Sequence, residues 1–160
     1  MKTIADINLG HFQQLLARFN IDVKHVTLSE NIPGSYWGAP EAGIIQNRLY
    51  IRDDTPVHSA LHESCHYVCM DQERRQQLHT DTGGDYDEEN AVCFLQILLA
   101  DYLPNVGQQQ LCADMDTWGY TFRLGSAARW FQEDAESTLD WLLQYELITE
   151  QKIPTWHVRQ

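Results

Sequence analysis

An HExxH motif, His62-Glu63-Ser64-Cys65-His66, has the clearest chemical meaning in the sequence. On a helix, residues four apart lie on one face, one turn above the other. The imidazoles of His62 and His66 can then reach one zinc ion at the usual Zn–N distance of about 2.0–2.1 Å. Glu63 lies roughly 100° around the helix from His62. It is therefore free to accept a proton from a zinc-bound water.

The residues around the motif favour a helix that begins shortly before it. Asp54 or Thr55 can cap the N-terminus, and Pro56 suits the first helical position, where its missing N–H is not needed. Apolar residues then recur at helical spacing: Val57, Leu61, Cys65, Val68 and Cys69. We predict a metal helix over about residues 56–76. The alternative is a surface helix that carries two histidines by chance.

The pattern before this helix predicts an α+β fold, with residues 1–160 as a single domain. An apolar stripe over residues 8–19 indicates a helix, and alternation over residues 21–26 indicates a strand. Glycines and prolines at 34–43 suggest a strand and hairpin loop, and residues 44–52 form a strand that leads into the metal helix. We expect a small antiparallel sheet packed on that helix.

Further helices are predicted after the metal helix. One runs from about Glu88 to Leu103, with Asp87 as its cap, and a final amphipathic helix follows Ser126. Between them, residues 118–124 alternate as a strand would.

Composition narrows the class of protein. Hydrophobic residues make up 43% of the chain and charged residues 21%, which is ordinary for a globular domain. The formal net charge of −12 argues against nucleic acid or an anionic membrane as the main partner. The N-terminus has no apolar segment of the kind found in signal peptides. Four cysteines lack the spacing of a disulfide framework or a CxxC pair, and together these features indicate a cytoplasmic protein.

A catalytic zinc site usually has three protein ligands, so two histidines leave it incomplete. Glu88 and Glu89, at the start of the next predicted helix, are the candidates for a third. Glu88 shares an apolar face with Ala91, Val92, Leu95 and Leu99. Glu89 shares a more mixed face with Cys93, Gln96 and Ala100. We therefore predict Glu88 as the ligand, with Glu89 as the alternative; both also favour a helix N-terminus electrostatically.

The order of these motifs resembles the gluzincin metallopeptidases, and within them the ImmA/IrrE-type group. Their third-ligand helix has the form E-x-x-A-N-x-F-A-A-x-L-L, and this chain matches it in register at Glu88, Ala91, Phe94, Leu98 and Leu99. The resemblance covers about residues 44–104. Its departures from the family include Cys65, which stands where the family has glycine, and Val92, which stands where it has asparagine.

The resemblance implies a zinc-dependent peptidase with a zincin-like fold that acts on a peptide or protein substrate. His62, His66 and Glu88 would hold Zn²⁺, and Glu63 would be the general base. Two alternatives remain: a non-catalytic protein that keeps zinc for structure or sensing, and an interaction module with a vestigial motif.

Several other polar residues are weaker candidates. His58 lies on the histidine face, at the rim of the predicted site or in contact with a ligand. Possible donors to an oxyanion are His79, Tyr86, Tyr120 and His157. Asp81 and Asp85 can orient a ligand imidazole. Spacing alone places none of these near the motif.

Overall fold

Three short strands and seven α-helices make up the chain, after one turn of 3-10 helix at Ile4–Asp6. The computed structural model describes residues 1–160. The fold is α+β, as the sequence predicts. In chain order the elements are α1 (Leu9–Ala17), β1 (Asp22–His25), β2 (Gly43–Ile45), β3 (Arg48–Ile51), α2 (Val57–Cys69), α3 (Gln72–Gln76), α4 (Tyr86–Ala100), α5 (Gly107–Trp118), α6 (Ala127–Glu133) and α7 (Glu136–Gln144).

The sheet is mixed, so the prediction of an antiparallel sheet is wrong in part. β3 lies in the centre, with β1 parallel to it and β2 antiparallel. The chain reverses in the long connection after β1 and again in the tight turn at Gln46, whose φ is 53°. Two reversals return β3 to the direction of β1. Side-chain periodicity carries no information about strand direction, and the strand predicted over residues 44–52 is a hairpin of β2 and β3.

Helix α2 carries the HExxH motif and is shorter than predicted. It ends at Cys69, and the Asp71 side chain caps the separate helix α3. No side chain caps the start of α2. Instead, the Val57 N–H donates to the Lys2 carbonyl at 3.0 Å. The N-terminal segment thus takes the role that the sequence assigned to side chains at positions 54 and 55.

Helix α4 packs along α2 and is buried over most of its length. It begins at Tyr86, because Asp85 rather than Asp87 accepts the capping hydrogen bond from the Glu88 N–H, at 2.9 Å. Every residue over positions 91–100 is buried. A helix buried on all sides has no single apolar face, so its orientation cannot be read from an apolar stripe.

The strand predicted over residues 118–124 does not form. Helix α5 ends at Gly119, whose φ of 113° is a left-handed conformation that glycine adopts without strain. The Tyr120 N–H then donates to the Met115 carbonyl at 3.1 Å, which turns the chain back over the helix. The final predicted helix is two helices, α6 and α7, and Ser126 caps the first as predicted.

One hydrophobic core of 38 buried residues joins the sheet to the helices. All four cysteines are free and buried. No helix has both the length and the apolar composition needed to cross a lipid bilayer.

The last residues of the chain lie against the end of α2. The Arg159 N–H donates to the Val68 carbonyl at 2.9 Å, and its guanidinium donates to the Cys69 carbonyl at 3.3 Å. The same guanidinium pairs with the buried Glu88 carboxylate at 3.1 Å. Arg75 donates to the Arg159 carbonyl. These contacts hold the ends of α2 and α4 to the C-terminal segment.

We predict that Arg159→Met lowers the free energy of unfolding by about 2–3 kcal/mol. Loss of one partner of a buried pair usually costs about 3–5 kcal/mol, and here Glu88 keeps a second arginine, Arg74. Urea denaturation measures the change. Arg129→Met is the matched control, because it breaks an exposed pair with Glu133 worth about 0.5 kcal/mol or less. Equal effects of the two substitutions would contradict the prediction.

Candidate metal centre

The two histidines of the motif converge as the helical spacing predicts. Helix α2 places the Nε2 atoms of His62 and His66 3.1 Å apart, with ring centroids at 4.7 Å. His66 is buried and His62 partly buried. Both rings point toward the first turns of α4, so the third group of the site comes from that helix.

Glu89, and not Glu88, faces the histidines. The two Glu89 oxygens lie 3.0 Å from His62 Nε2 and 3.1 Å from His66 Nε2. These three side chains form the one cluster in the chain with the spacing of a metal site. The placement of Glu88 at the histidines is therefore wrong, and the alternative, Glu89, occupies that position.

Glu88 points about 100° around α4 from Glu89, toward Arg74 and Arg159 at the end of α2. Its carboxylate accepts hydrogen bonds from Arg74 at 2.8 Å and from Arg159 at 3.1 Å, and the residue is 2% exposed. The apolar face predicted for Glu88 is indeed buried, but the groups opposite its carboxylate are arginines. Consecutive residues on a helix differ by about 100°, so only one of the two glutamates can face α2's histidines.

Glu88 and Arg74 also shape the loop that covers one side of the site. Arg74 donates to the Thr82 carbonyl at 2.5 Å while it pairs with Glu88. Gly84 lies directly against the Glu88 carboxylate, with a φ of 100° that favours glycine. Glu88 is thus a structural residue that positions residues 80–84 beside the histidines.

Gln96 orients His62 and was missed by the sequence analysis. Its Oε1 accepts a hydrogen bond from His62 Nδ1 at 2.6 Å, and its own amide donates to the His58 carbonyl at 3.3 Å. Because an amide oxygen can only accept, Nδ1 of His62 carries a proton, and Nε2 is the ring nitrogen that faces the cluster. The available signal was Gln96 itself, a polar residue on the face of Glu89 in a buried helix.

The cluster has the chemistry of a cation site. His62 Nε2, His66 Nε2 and the Glu89 carboxylate bring electron-rich atoms together, so a metal ion, or in its absence an added proton, must offset their repulsion. Their separations of 3.0–3.1 Å approach the value of about 3.3–3.4 Å expected between neighbouring tetrahedral zinc ligands. Burial raises the pKa of Glu89, but hydrogen bonds with both histidines outweigh it and hold the pKa well below its usual range.

Glu63 lines the same cavity, which has a volume of about 440 Å³. Burial raises the pKa of Glu63 to about 7; His62 opposes the shift, while the nearby carboxylates of Glu41 and Glu89 add to it. A bound dication would lower this pKa. The motif glutamate therefore lies beside the cluster without belonging to it, as its helical phase predicts.

Tyr120 is the one predicted oxyanion donor that the fold brings to this cavity. Its ring centroid lies 5.6 Å from that of His62, and its hydroxyl lies 3.2 Å from His58 Nδ1. Burial raises the pKa of Tyr120 to about 12, so the hydroxyl stays protonated and able to donate. His58 is itself buried and packs on Trp118 at 5.1 Å between centroids.

Of the other weak candidates, only Asp81 reaches this cavity. Tyr86 lines a separate cavity, and His79 contacts the edge of β2 through Ile45. His157 is exposed in the C-terminal segment. Asp81 lines the cavity of the cluster, whereas Asp85 caps α4.

Comparison with known proteins adds no family to this description. No family model, curated protein or solved structure matches the chain. The chemistry of the site therefore has to be inferred from its own donor atoms, distances and burial.

We predict that His58 makes stability depend on pH. Burial lowers the pKa of His58 to about 4, whereas the unfolded chain has an ordinary value of about 6.5. The unfolded state binds the proton first, so stability is lost as pH falls from about 6.5 to about 4. At about pH 4.5 the loss due to His58 should be about 2 kcal/mol.

Urea denaturation of the wild type and His58→Gln, with a chelator present, measures this contribution. Carboxylate titrations are common to both proteins and cancel in the difference. His11→Gln, on the exposed side of α1, is the matched control for loss of one imidazole. Identical pH dependence of the wild type and His58→Gln would contradict the prediction.

Proposed function

We propose that this protein is a zinc-dependent metallopeptidase of the gluzincin class, in which His62, His66 and Glu89 hold the metal. The observation that carries the proposal is the convergence of these three donors beside Glu63, in a cavity open enough to admit a substrate. Two imidazoles and one carboxylate are a usual ligand set for catalytic zinc, and they leave one position open. Glu89 is 47% exposed, so the open side of the cluster faces the cavity.

The proposal extends to the class and not to the ImmA/IrrE-type group. The helix pattern that carried the closer resemblance has its glutamate at Glu88, and that carboxylate pairs with arginines. With Glu89 as the ligand, the set of two histidines and one glutamate is still that of a gluzincin. The ligand is then one residue later than in the helix pattern of the ImmA/IrrE-type group.

In the proposed peptide hydrolysis, each residue of the cavity has a separate role. Zinc, when bound, supplies a Lewis acid and acidifies water toward a pKa of about 7. Glu63 accepts the proton of the attacking water and passes it to the leaving amine. Tyr120 donates a hydrogen bond to the carbonyl oxygen as negative charge develops there. With the His58 proton on Nδ1, that ring donates to the Tyr120 oxygen and leaves the phenolic proton free for the substrate.

We predict that Glu89→Gln raises the dissociation constant for zinc by about 100-fold or more, because even residues that only orient ligands contribute about 10–100-fold. Glu88→Gln should leave zinc affinity near that of the wild type. It should lower the free energy of unfolding by about 3 kcal/mol, since it leaves Arg74 and Arg159 facing a neutral group. Zinc titration against a competing chelator and urea denaturation give the two quantities.

His62→Ala serves as the reference for loss of a ligand, and Gln96→Leu should weaken zinc binding by about 10–100-fold. If Glu88→Gln weakened zinc binding more than Glu89→Gln, Glu88 rather than Glu89 would be the ligand. A wild-type protein with no affinity for zinc would overturn the whole proposal.

We predict that Glu63→Gln retains zinc and lowers kcat by about 10²–10⁴-fold, because the amide cannot accept the proton. Tyr120→Phe should retain zinc and lower kcat by about 10²–10³-fold. A peptide found by mass spectrometry of a cleaved random library is the substrate. Tyr86→Phe, outside the cavity, is the matched control. Stoichiometric zinc without cleavage of any peptide would favour the non-catalytic alternative.

A further inference from the structure

A second cavity, of about 570 Å³, adjoins the candidate metal centre. The two cavities share four lining residues, namely Trp37, Glu41, Trp118 and Tyr120. A peptide whose reacting carbonyl lies at the cluster can therefore place a neighbouring side chain in this second cavity without leaving the continuous surface.

Exposed indole rings form the walls of the second cavity. Trp37 is 79% exposed and Trp118 is 44% exposed. Tyr36, also exposed, packs edge-on against Trp37 at 5.0 Å between centroids. Large aromatic surface left open to water is unusual in a stable domain and is typical of binding sites. Here it is concentrated beside the cluster.

Glu41 is the single charged residue among those that line the second cavity. It is held near α2 because the adjacent Ala42 N–H donates to the buried Ser59 hydroxyl at 3.0 Å. Burial raises the pKa of Glu41, and a hydrogen bond with the Trp118 side chain opposes that shift. The nearby His62 ring also opposes the shift, but the carboxylate lies next to an indole and pairs with no lysine or arginine.

The cavity of the candidate metal centre, here called the first cavity, is negatively charged like the second. Its lining includes no lysine or arginine but four carboxylates, those of Glu41, Glu63, Asp81 and Glu89. A bound dication would offset only two of these charges. The surface that a substrate meets therefore stays negative with the metal in place, which favours cationic groups and repels acidic ones.

The exposed indoles and the Glu41 carboxylate favour some substrate side chains over others in the second cavity. An apolar side chain in the second cavity would bury the Glu41 carboxylate without a partner, which is unfavourable. An acidic one would be repelled. Arginine fits both features, because its planar guanidinium stacks on an indole face and also donates two hydrogen bonds to a carboxylate.

We propose that the second cavity is a specificity pocket for a basic side chain of the substrate, arginine in preference to lysine, with Glu41 as its anionic partner and Trp37 and Trp118 as its walls. This inference rests on the proposed peptidase function and adds the substrate class to it.

A set of alanine peptides tests the pocket. Each peptide carries one arginine or one citrulline, and the position of that residue varies from peptide to peptide. Citrulline has the shape of arginine without its charge. The wild type should cleave the best arginine peptide with a kcat/KM about tenfold or more above that of its citrulline counterpart, as one charge-assisted hydrogen bond would give. In Glu41→Gln the ratio should fall toward one.

Asp81→Asn is the matched control, since it removes the same charge from the first cavity and leaves the second unchanged. It should keep the arginine preference. Trp37→Leu should reduce that preference by about 2–5-fold, the value of an exposed cation–π contact. Binding of the labelled peptides to zinc-loaded Glu63→Gln, followed by fluorescence anisotropy, gives a second readout that does not depend on turnover.

The outcomes separate this inference from the proposed function. Peptide cleavage with no preference for arginine over citrulline would overturn the pocket and leave the peptidase standing. Preferential binding of arginine peptides without cleavage of any peptide would support the pocket and overturn the peptidase. A preference that survives in Glu41→Gln, or falls equally in Asp81→Asn, would overturn the role of Glu41.

Discussion

The close packing of α2 on α4 is the contact on which the rest of the structure depends. Both helices are almost wholly buried where they meet, so a polar group at this interface is costly without a partner. His62 finds one in Gln96, and the two histidines find another in Glu89. Beside the end of α2, Glu88 is neutralised by arginines. Two adjacent glutamates thereby serve opposite purposes, one in the candidate metal centre and one in the fold.

The neighbouring elements complete the site because they are held to this helix pair. The loop before β2 is bonded to Ser59 on α2, and this places Glu41 beside the motif. The left-handed turn at Gly119 returns Tyr120 over the first turn of α2, where His58 meets it. The loop over residues 80–84 is held through Arg74. Segments far apart in the chain therefore line one cavity.

Electrostatics link the candidate metal centre to the basic side chain proposed for the substrate. A cluster of two imidazoles and a carboxylate favours a cation, and the further carboxylates around it exceed what one dication neutralises. The excess negative charge of the cavity has the same sign as the chain as a whole, whose formal net charge is −12. Because close charges interact more strongly than distant screened ones, Glu41 and not the net charge is expected to decide which side chain binds.

The sequence by itself determined the features that depend on one element at a time. Helical spacing put His62 and His66 on one face with Glu63 beside them, and composition with local pattern gave an α+β chain with Ser126 as a helix cap. Only the tertiary structure decided which group lies opposite a given face. It turned Glu89 rather than Glu88 toward the histidines, made β1 parallel to β3, and brought Tyr120 and Trp37 to the cavity. The physical reason is that periodicity sets the angle between residues on a single helix or strand. The partner across each face is set by the packing of elements that are remote in sequence.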